Sequence, residues 1–231
     1  MILGTNGEKM SKSKGNVINP DDIIDEFGAD TFRVYEMFMG PFDQTAAWSM
    51  ESIRGCNKFL DRVWNLQDIM TSQNEISEKH DKLINKAIKK VTSDIEEMKF
   101  NTSVSTFMAM TNEFYKDKYI TKKEFEIFLK LLNPFAPHLT EEINERIGNK
   151  EELAYKAWPS FDEEKTSDDE ISLPIQINGK LRANVQINKD EEKESVKQKV
   201  HQNEKIETLI NDKEIVKEIY VKNRIYNIVI K

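Results

Sequence analysis

The sequence contains a single cysteine, Cys56. A lone thiol can neither close an internal disulfide nor build a cysteine-ligated zinc site, which suits a reducing cytoplasm. Cys56 is expected to pack as a small apolar side chain. No run of about 18 apolar residues occurs, so no membrane span is expected, and Met1-Ile2-Leu3-Gly4 is too short for the apolar region of a signal peptide. Histidine is scarce as well: His80, His138 and His201 are far apart, and none lies in a His-x-Gly-His run. Nor is there a surplus of positive charge. With 34 Lys and Arg against 41 Asp and Glu, the net charge is −7, so contacts with nucleic acid, which draw on basic surface, require charge to be segregated along the chain. Acid gathers at Asp162-Glu163-Glu164 and Asp168-Asp169-Glu170, whereas residues 171–231 hold twelve Lys or Arg against nine Asp or Glu, about +3. That excess reads equally as a binding surface or as an ordinary mixed-charge surface.

What the sequence does have is a concentrated basic loop near its start. Lys9-Met10-Ser11-Lys12-Ser13 runs on into Lys14, Gly15 and Asn16, three lysines within six residues separated by small hydroxylic side chains. Movable ammonium groups and many exposed donors suit a polyphosphate, whose charge during phosphoryl or nucleotidyl transfer is stabilised mainly by positioned donors. Composition alone leaves a solvated basic loop open beside the phosphate clamp.

At 231 residues the chain has room for two modest domains and a leading arm. Asn19-Pro20-Asp21-Asp22 marks a helix start, with an N-cap, a proline at the first position and two acids on the helix dipole. Ile23, Ile24 and Phe27 are expected to face inward and Gly28 to end the helix. Asp30 is expected to cap a second helix, which stops at Gly40-Pro41. Ser49 opens a long third helix. Ile84, Ile88, Val91, Ile95 and Met98 are spaced four, three, four and three, one apolar seam of a fourth. Asn101 begins a fifth, Thr121 and Glu124 form a capping box for a sixth, and Pro137 opens a seventh that ends at Gly148. The expected fold is therefore mostly α, an antiparallel helix bundle over 42–160. An acidic, solvated linker over 161–171 follows. After it the period changes to two: Ile175 and Ile177, the turn Asn178-Gly179, then Leu181, Ala183, Val185 and Ile187. A helix from Asp190 to Asn211, with Val196, Val200, Leu209 and Ile210 inward, precedes two strands in which Ile219, Val221, Ile228 and Ile230 alternate. Residues 172–231 thus form a small β-β-α-β-β domain.

The pentapeptide at 9–13 resembles the signature loop of class I aminoacyl-tRNA synthetases. Gly28-Ala29-Asp30-Thr31, Arg33, Tyr35-Glu36-Met37-Phe38-Met39-Gly40-Pro41, Phe59-Leu60-Asp61-Arg62-Val63-Trp64, Asn133-Pro134-Phe135-Ala136-Pro137-His138-Leu139, Trp158-Pro159 and Ile177-Asn178-Gly179-Lys180-Leu181-Arg182 continue the resemblance, specifically to leucyl-tRNA synthetases, over essentially the whole chain. Isoleucine relatives often end in a cysteine-rich zinc module, for which one cysteine is too few. The family's second ATP signature, the His-x-Gly-His type, is absent, so the resemblance is to the C-terminal third from the signature loop onward.

The resemblance implies that residues 1–41 end a catalytic domain, with the loop and stem-contact helices, that 42–160 are an anticodon-binding-type bundle and that 172–231 bind tRNA. It implies ATP contacts by Lys9, Met10, Ser11, Lys12 and Ser13, with Lys9 and Lys12 catalytic and Lys12 the main stabiliser of the transition state. Met10 would anchor the loop. Arg33 is expected to pair with a carboxylate. Lys180 and Arg182, side by side on the outer face of the hairpin, are the expected tRNA contacts. ATP is a substrate, Mg2+ is expected to come with it though no ligands for it can be named, and no metal site is expected. The implied partners are tRNA(Leu), ATP and, through the missing half, leucine. The implied activity is leucine-tRNA ligation by a cytoplasmic enzyme, monomeric when whole or paired with a separate N-terminal chain, and the chain by itself is expected to be inactive. A non-catalytic tRNA-binding module is the alternative.

Overall fold

The computed structural model describes residues 2–166, 170–211 and 213–231. They fall into two compact units divided between residues 166 and 167. The first is almost entirely helical: α1 (Pro20–Phe27), α2 (Ala29–Phe38), α3 (Met50–Asn65), α4 (Glu78–Glu96), α5 (Phe100–Asp117), α6 (Lys122–Leu132) and α7 (Pro137–Arg146). Two short parallel pairs interrupt it, β1 (Ile2–Leu3) with β2 (Ala46–Ala47) and β3 (Met70–Thr71) with β4 (Ile120–Thr121). No described helix is long and apolar enough to cross a membrane.

Local signals start most of these helices. Asn19 accepts from the Asp21 amide, Ser49 from Ser52 and Ser77 from His80, and the Thr121/Glu124 capping box is complete. One apolar core then runs from Ile23 and Val34 through Ile53, Val91, Phe107 and Phe128 to Leu153. The expected boundary at 41/42 therefore separates no cores: α2 packs on α3, α5 and α7. Cys56 is fully buried in this core, which pushes its thiol up to about 11 and keeps it an inert packing group.

Several expectations fail where tertiary contacts override local pattern. Asp30 lies inside α2, whose N-cap is Gly28, and its carboxylate instead accepts from the Leu139 amide at 2.7 Å and meets His138 Nδ1 at 2.8 Å, capping α7 across the core. Arg33 donates to the Pro134 carbonyl at 2.8 Å, not to a carboxylate. Ile24 is exposed, and Met98, expected to end the α4 seam, sits past the helix in a left-handed turn (φ 55°) and is exposed. The fifth helix starts at Phe100, and Lys99 gives it no side-chain cap. The expected linker also begins on the bundle: Asp162 N–H donates to Asn85 Oδ1 at 2.7 Å, Glu163 pairs with Lys89, and Lys165 pairs with Asp81 at 2.7 Å. Asp168 and Asp169 lie outside the described residues.

The second unit is a four-stranded sheet, β5 (Glu170–Ile177), β6 (Lys180–Asn188), β7 (Ile215–Val221) and β8 (Ile225–Ile230), in the order β6-β5-β8-β7. The central pair β5/β8 is parallel and the outer pairs are antiparallel. Pro174 is tolerated in β5 because β8 pairs only with Ile175–Ile177. Where one helix was expected there are two, α8 (Lys193–His201) and α9 (Glu204–Ile210), divided because Asn203 turns its side chain onto the Ile206 amide and starts a new helix. Val196, Val200 and Ile206 pack on Leu173, Ile175, Ile187, Tyr226 and Ile228, whereas Leu209 is exposed.

Candidate functional site

The basic loop grows out of a tight turn. The Gly4 amide donates to the Glu8 carbonyl at 2.8 Å, Leu3 bridges to Lys9, and Gly7 takes the positive φ (74°) that the reversal needs. Lys12–Lys14 form one 3₁₀ turn, closed by the Gly15 amide on the Lys12 carbonyl at 3.1 Å with Gly15 left-handed. Met10 is half-buried against the helical core, as an anchor should be, and Ser11 and Ser13 share a hydrogen bond of 3.2 Å.

Side-chain partners divide the three lysines. Lys14 is paired with Glu8 at 2.8 Å, both half-exposed. Lys9 and Lys12 are exposed, and neither ammonium has a carboxylate partner among the described residues. The loop thus presents two uncompensated cations above a fixed backbone, with hydroxyls between them, an arrangement that can hold two phosphate oxygens of one polyphosphate. Glu8 is the loop's one carboxylate, and among the described residues no group of three or more His, Cys, Asp or Glu side chains could hold a metal ion.

Two residues outside the expected phosphate contacts, Asn16 and Gly4, build this loop. Asn16 accepts from the Ser11 amide at 2.8 Å and donates to the Lys9 carbonyl at 3.3 Å, bracing both sides of Met10. Gly4 is buried beneath it: an added Cβ would come within 3.2 Å of Asn16 Nδ2. The available signal was an amide side chain directly after a glycine that closes a basic loop.

In the second unit the hairpin after Asn178-Gly179 carries a bulge. Ile175 pairs with Ala183 but Gln176 pairs with Leu181, so Arg182 is the extra residue. Lys180 is opposite the inward Ile177, and Leu181, 59% exposed, shares the outer face with Arg182. The expected side-by-side placement of Lys180 and Arg182 is therefore corrected, although both remain exposed. In β7 the parity is also opposite to expectation. Glu218 and Tyr220 point inward, Glu218 to Lys197 and to His201 (2.6 Å), and Tyr220 to the Glu191 carbonyl (3.1 Å), which turns Ile219 and Val221 outward.

The hairpin tip is tied to β8. Asn178 exchanges two hydrogen bonds with the Ile230 backbone, at 3.0 and 3.1 Å, and Gly179 N–H donates to Asn227 Oδ1 at 3.1 Å. This end of the sheet gathers Lys180, Arg182, Lys213 and Lys217, all exposed and, among the described residues, without an ion pair. On the helix side, by contrast, Lys197 and Lys199 are committed to Glu218 and Glu191.

Comparisons with known proteins agree with this architecture. The family described as the anticodon-binding domain of tRNA ligase matches residues 81–198, and that of class I tRNA synthetases (I, L, M and V) matches residues 1–49. The chain is similar to the leucine--tRNA ligase of Alkaliphilus oremlandii (strain OhILAs), 49% identical over all 231 residues, which span 29% of that relative. It is also similar to the leucyl-tRNA synthetase agnB2 of Agrobacterium radiobacter K84, solved as a ternary complex with tRNA and LeuAMS. That match has a TM-score of 0.75 at 29% identity, covering 100% of this chain and 33% of the other. The chain thus spans a third or less of the length of these relatives. With the loop at one end, the helical core and the small sheet unit all matched, the chain is similar over its whole length to leucyl-tRNA synthetases, and it belongs to the family of tRNA ligase anticodon-binding domains.

Proposed function

We propose that this chain supplies the ATP-phosphate loop and tRNA-binding parts of a leucine-tRNA ligase, which activates leucine as leucyl-adenylate and transfers it to tRNA(Leu). The observation that carries this reading is the pair of ammonium groups, Lys9 and Lys12, without a carboxylate partner among the described residues, on a loop whose backbone is braced from within. The leucine carboxylate attacks the α-phosphorus of ATP, and the bond to the pyrophosphate oxygen breaks. Negative charge grows on the departing pyrophosphate. Cations at the β- and γ-phosphate oxygens stabilise that charge, and the loop needs no base because the nucleophile is already an anion. Ser11 and Ser13 shape the turn, and Met10 ties it to the core.

The remaining part of the ATP site, with the leucine pocket, belongs to a nucleotide-binding portion of the His-x-Gly-His type, of which this sequence has no counterpart.

For tRNA, the basic end of the sheet is the proposed contact. Four exposed cations, among the described residues without carboxylate partners, two at the tip of the β5/β6 hairpin and two at the start of β7 on the opposite edge of the sheet, suit the phosphates of a folded RNA. Replacing Lys180, Arg182 and Lys217 together by alanine is expected to reduce the salt dependence of tRNA(Leu) binding, each lost phosphate contact lowering the log–log slope by roughly one. Filter binding across a salt series measures it, and a slope equal to the parent's would remove this surface from the tRNA interface.

A further inference from the structure

We propose that Asn16 is the positioning residue of the phosphate loop: its amide holds the backbone on both sides of Met10, so that Lys9 and Lys12 face one polyphosphate from fixed points. This rests on reading the loop as a phosphate site. Six residues lie between Lys9, at the start of the loop, and Asn16, yet the Asn16 side chain spans them with two bonds of opposite sense. Oδ1 takes the Ser11 amide at 2.8 Å and Nδ2 gives to the Lys9 carbonyl at 3.3 Å. Neither a carboxylate nor a hydroxyl of fixed orientation offers an acceptor and a donor in that plane; a carboxamide does. The brace sits on buried Gly4, whose missing Cβ leaves room for it, and Gly4 in turn is tied to Glu8 by its amide at 2.8 Å. Strand β1, the turn and the far side of the loop are thus one hydrogen-bonded unit. Without the brace, Met10 and the 3₁₀ turn alone would hold the segment between the two lysines, and ordering the rest of its backbone would oppose phosphate binding.

The test uses the 231-residue chain with inorganic tripolyphosphate as the probe. Binding is followed by amide NMR shifts, Ser11 amide exchange is measured in the free protein, and thermal midpoints are recorded alongside. Asn16→Ala is expected to weaken tripolyphosphate binding about tenfold and to speed Ser11 exchange about tenfold, with an unchanged thermal midpoint. Gly4→Ala, which displaces the amide without deleting it, is expected to give a smaller change in the same two readouts. The double variant Lys9→Ala/Lys12→Ala should abolish binding while leaving Ser11 exchange as in the parent. If the double variant weakens binding and Asn16→Ala does not, the positioning role is wrong and the phosphate site stands. If Asn16→Ala weakens binding while Ser11 stays protected, Asn16 is a direct ligand and the proposal is again wrong. If the parent chain shows no lysine-dependent binding of tripolyphosphate, both the phosphate reading and the proposal fall, whatever happens to Ser11.

Discussion

Alanine at position 12 is expected to slow leucyl-adenylate formation about a hundredfold or more in an enzyme that contains this chain and its nucleotide-binding portion, with little change in leucine affinity. Lys12 opens the 3₁₀ turn of the loop, is exposed and, among the described residues, has no carboxylate to neutralise it, whereas Lys14 spends its charge on Glu8. Its ammonium is therefore available for charge that grows only as pyrophosphate departs. An interaction stronger in the transition state than in the ground state acts on turnover. Loss of one such donor costs about 3 kcal/mol. Single-turnover measurement of adenylate with saturating ATP and leucine reads the effect directly. An increase in the Michaelis constant for leucine with turnover preserved would reject the assignment.

The largest effect on stability is expected at Glu124, which is fully buried. One oxygen accepts from the Ser77 amide (2.8 Å) and hydroxyl (2.6 Å), and the other from the Thr121 amide (2.9 Å) with His80 Nδ1 at 2.9 Å. One carboxylate thus caps both α4 and α6. His80 continues the chain from its other nitrogen to Asp117 at 3.0 Å, and Lys79 reaches the same carboxylate at 2.5 Å, so the starts of α4 and α6 and the end of α5 meet at one node. Tyr119 stacks on the imidazole, with ring centroids 4.8 Å apart.

Glu124→Ala strands two helix-end amides and Nδ1 of the buried imidazole together, and leaving buried polar groups without their charged partner costs about 3–5 kcal/mol in all. For a unit of this size the thermal midpoint should fall by about 10 °C. The pH dependence has a definite sign. Burial alone would push the Glu124 carboxyl up, but the hydrogen bonds from Ser77, His80 and Thr121 outweigh it and hold the group below its ordinary 4.5. Asp117 is likewise held low, first by Lys79 and then by His80. A depressed carboxyl contributes its full stability above the unfolded value and loses it as pH falls through the folded value. The parent should therefore lose stability progressively below about pH 4.5, and Glu124→Ala should flatten that acid limb. Calorimetry from pH 3 to 7 checks both expectations; a variant within about 1 kcal/mol of the parent, with the same acid limb, would contradict them.

Glu124 also shows what a sequence can and cannot reveal. The Thr121/Glu124 box was legible because both partners lie within one helical turn. The bonds from Glu124 to Ser77 and His80 span 47 and 44 positions, and nothing local marks them. Asp30 failed for the same reason: at the start of α2 an aspartate looks like that helix's own cap, yet it serves α7, more than a hundred residues on. In the second unit the alternation of Ala183, Val185 and Ile187 was readable, but a bulge at Arg182 reversed Leu181. In β7 apolar residues occupy both parities, and Lys197 and His201 of α8 decide that Glu218 is the inward one. The lysines of the loop were legible as charge. Their division into one paired and two unpartnered was not, because it depends on where the turn returns Glu8.

The most direct test of the account is leucine-dependent exchange of pyrophosphate into ATP, measured on the chain by itself and on the same chain joined to the nucleotide-binding portion of a leucine-tRNA ligase. A phosphate loop supplies one side of a site whose reacting atoms must be held from both. The expected result is no exchange by the chain alone, exchange by the joined protein, and loss of that exchange in the joined protein carrying Lys9→Ala and Lys12→Ala. Exchange by the chain alone, or a joined protein indifferent to both lysines, would contradict it.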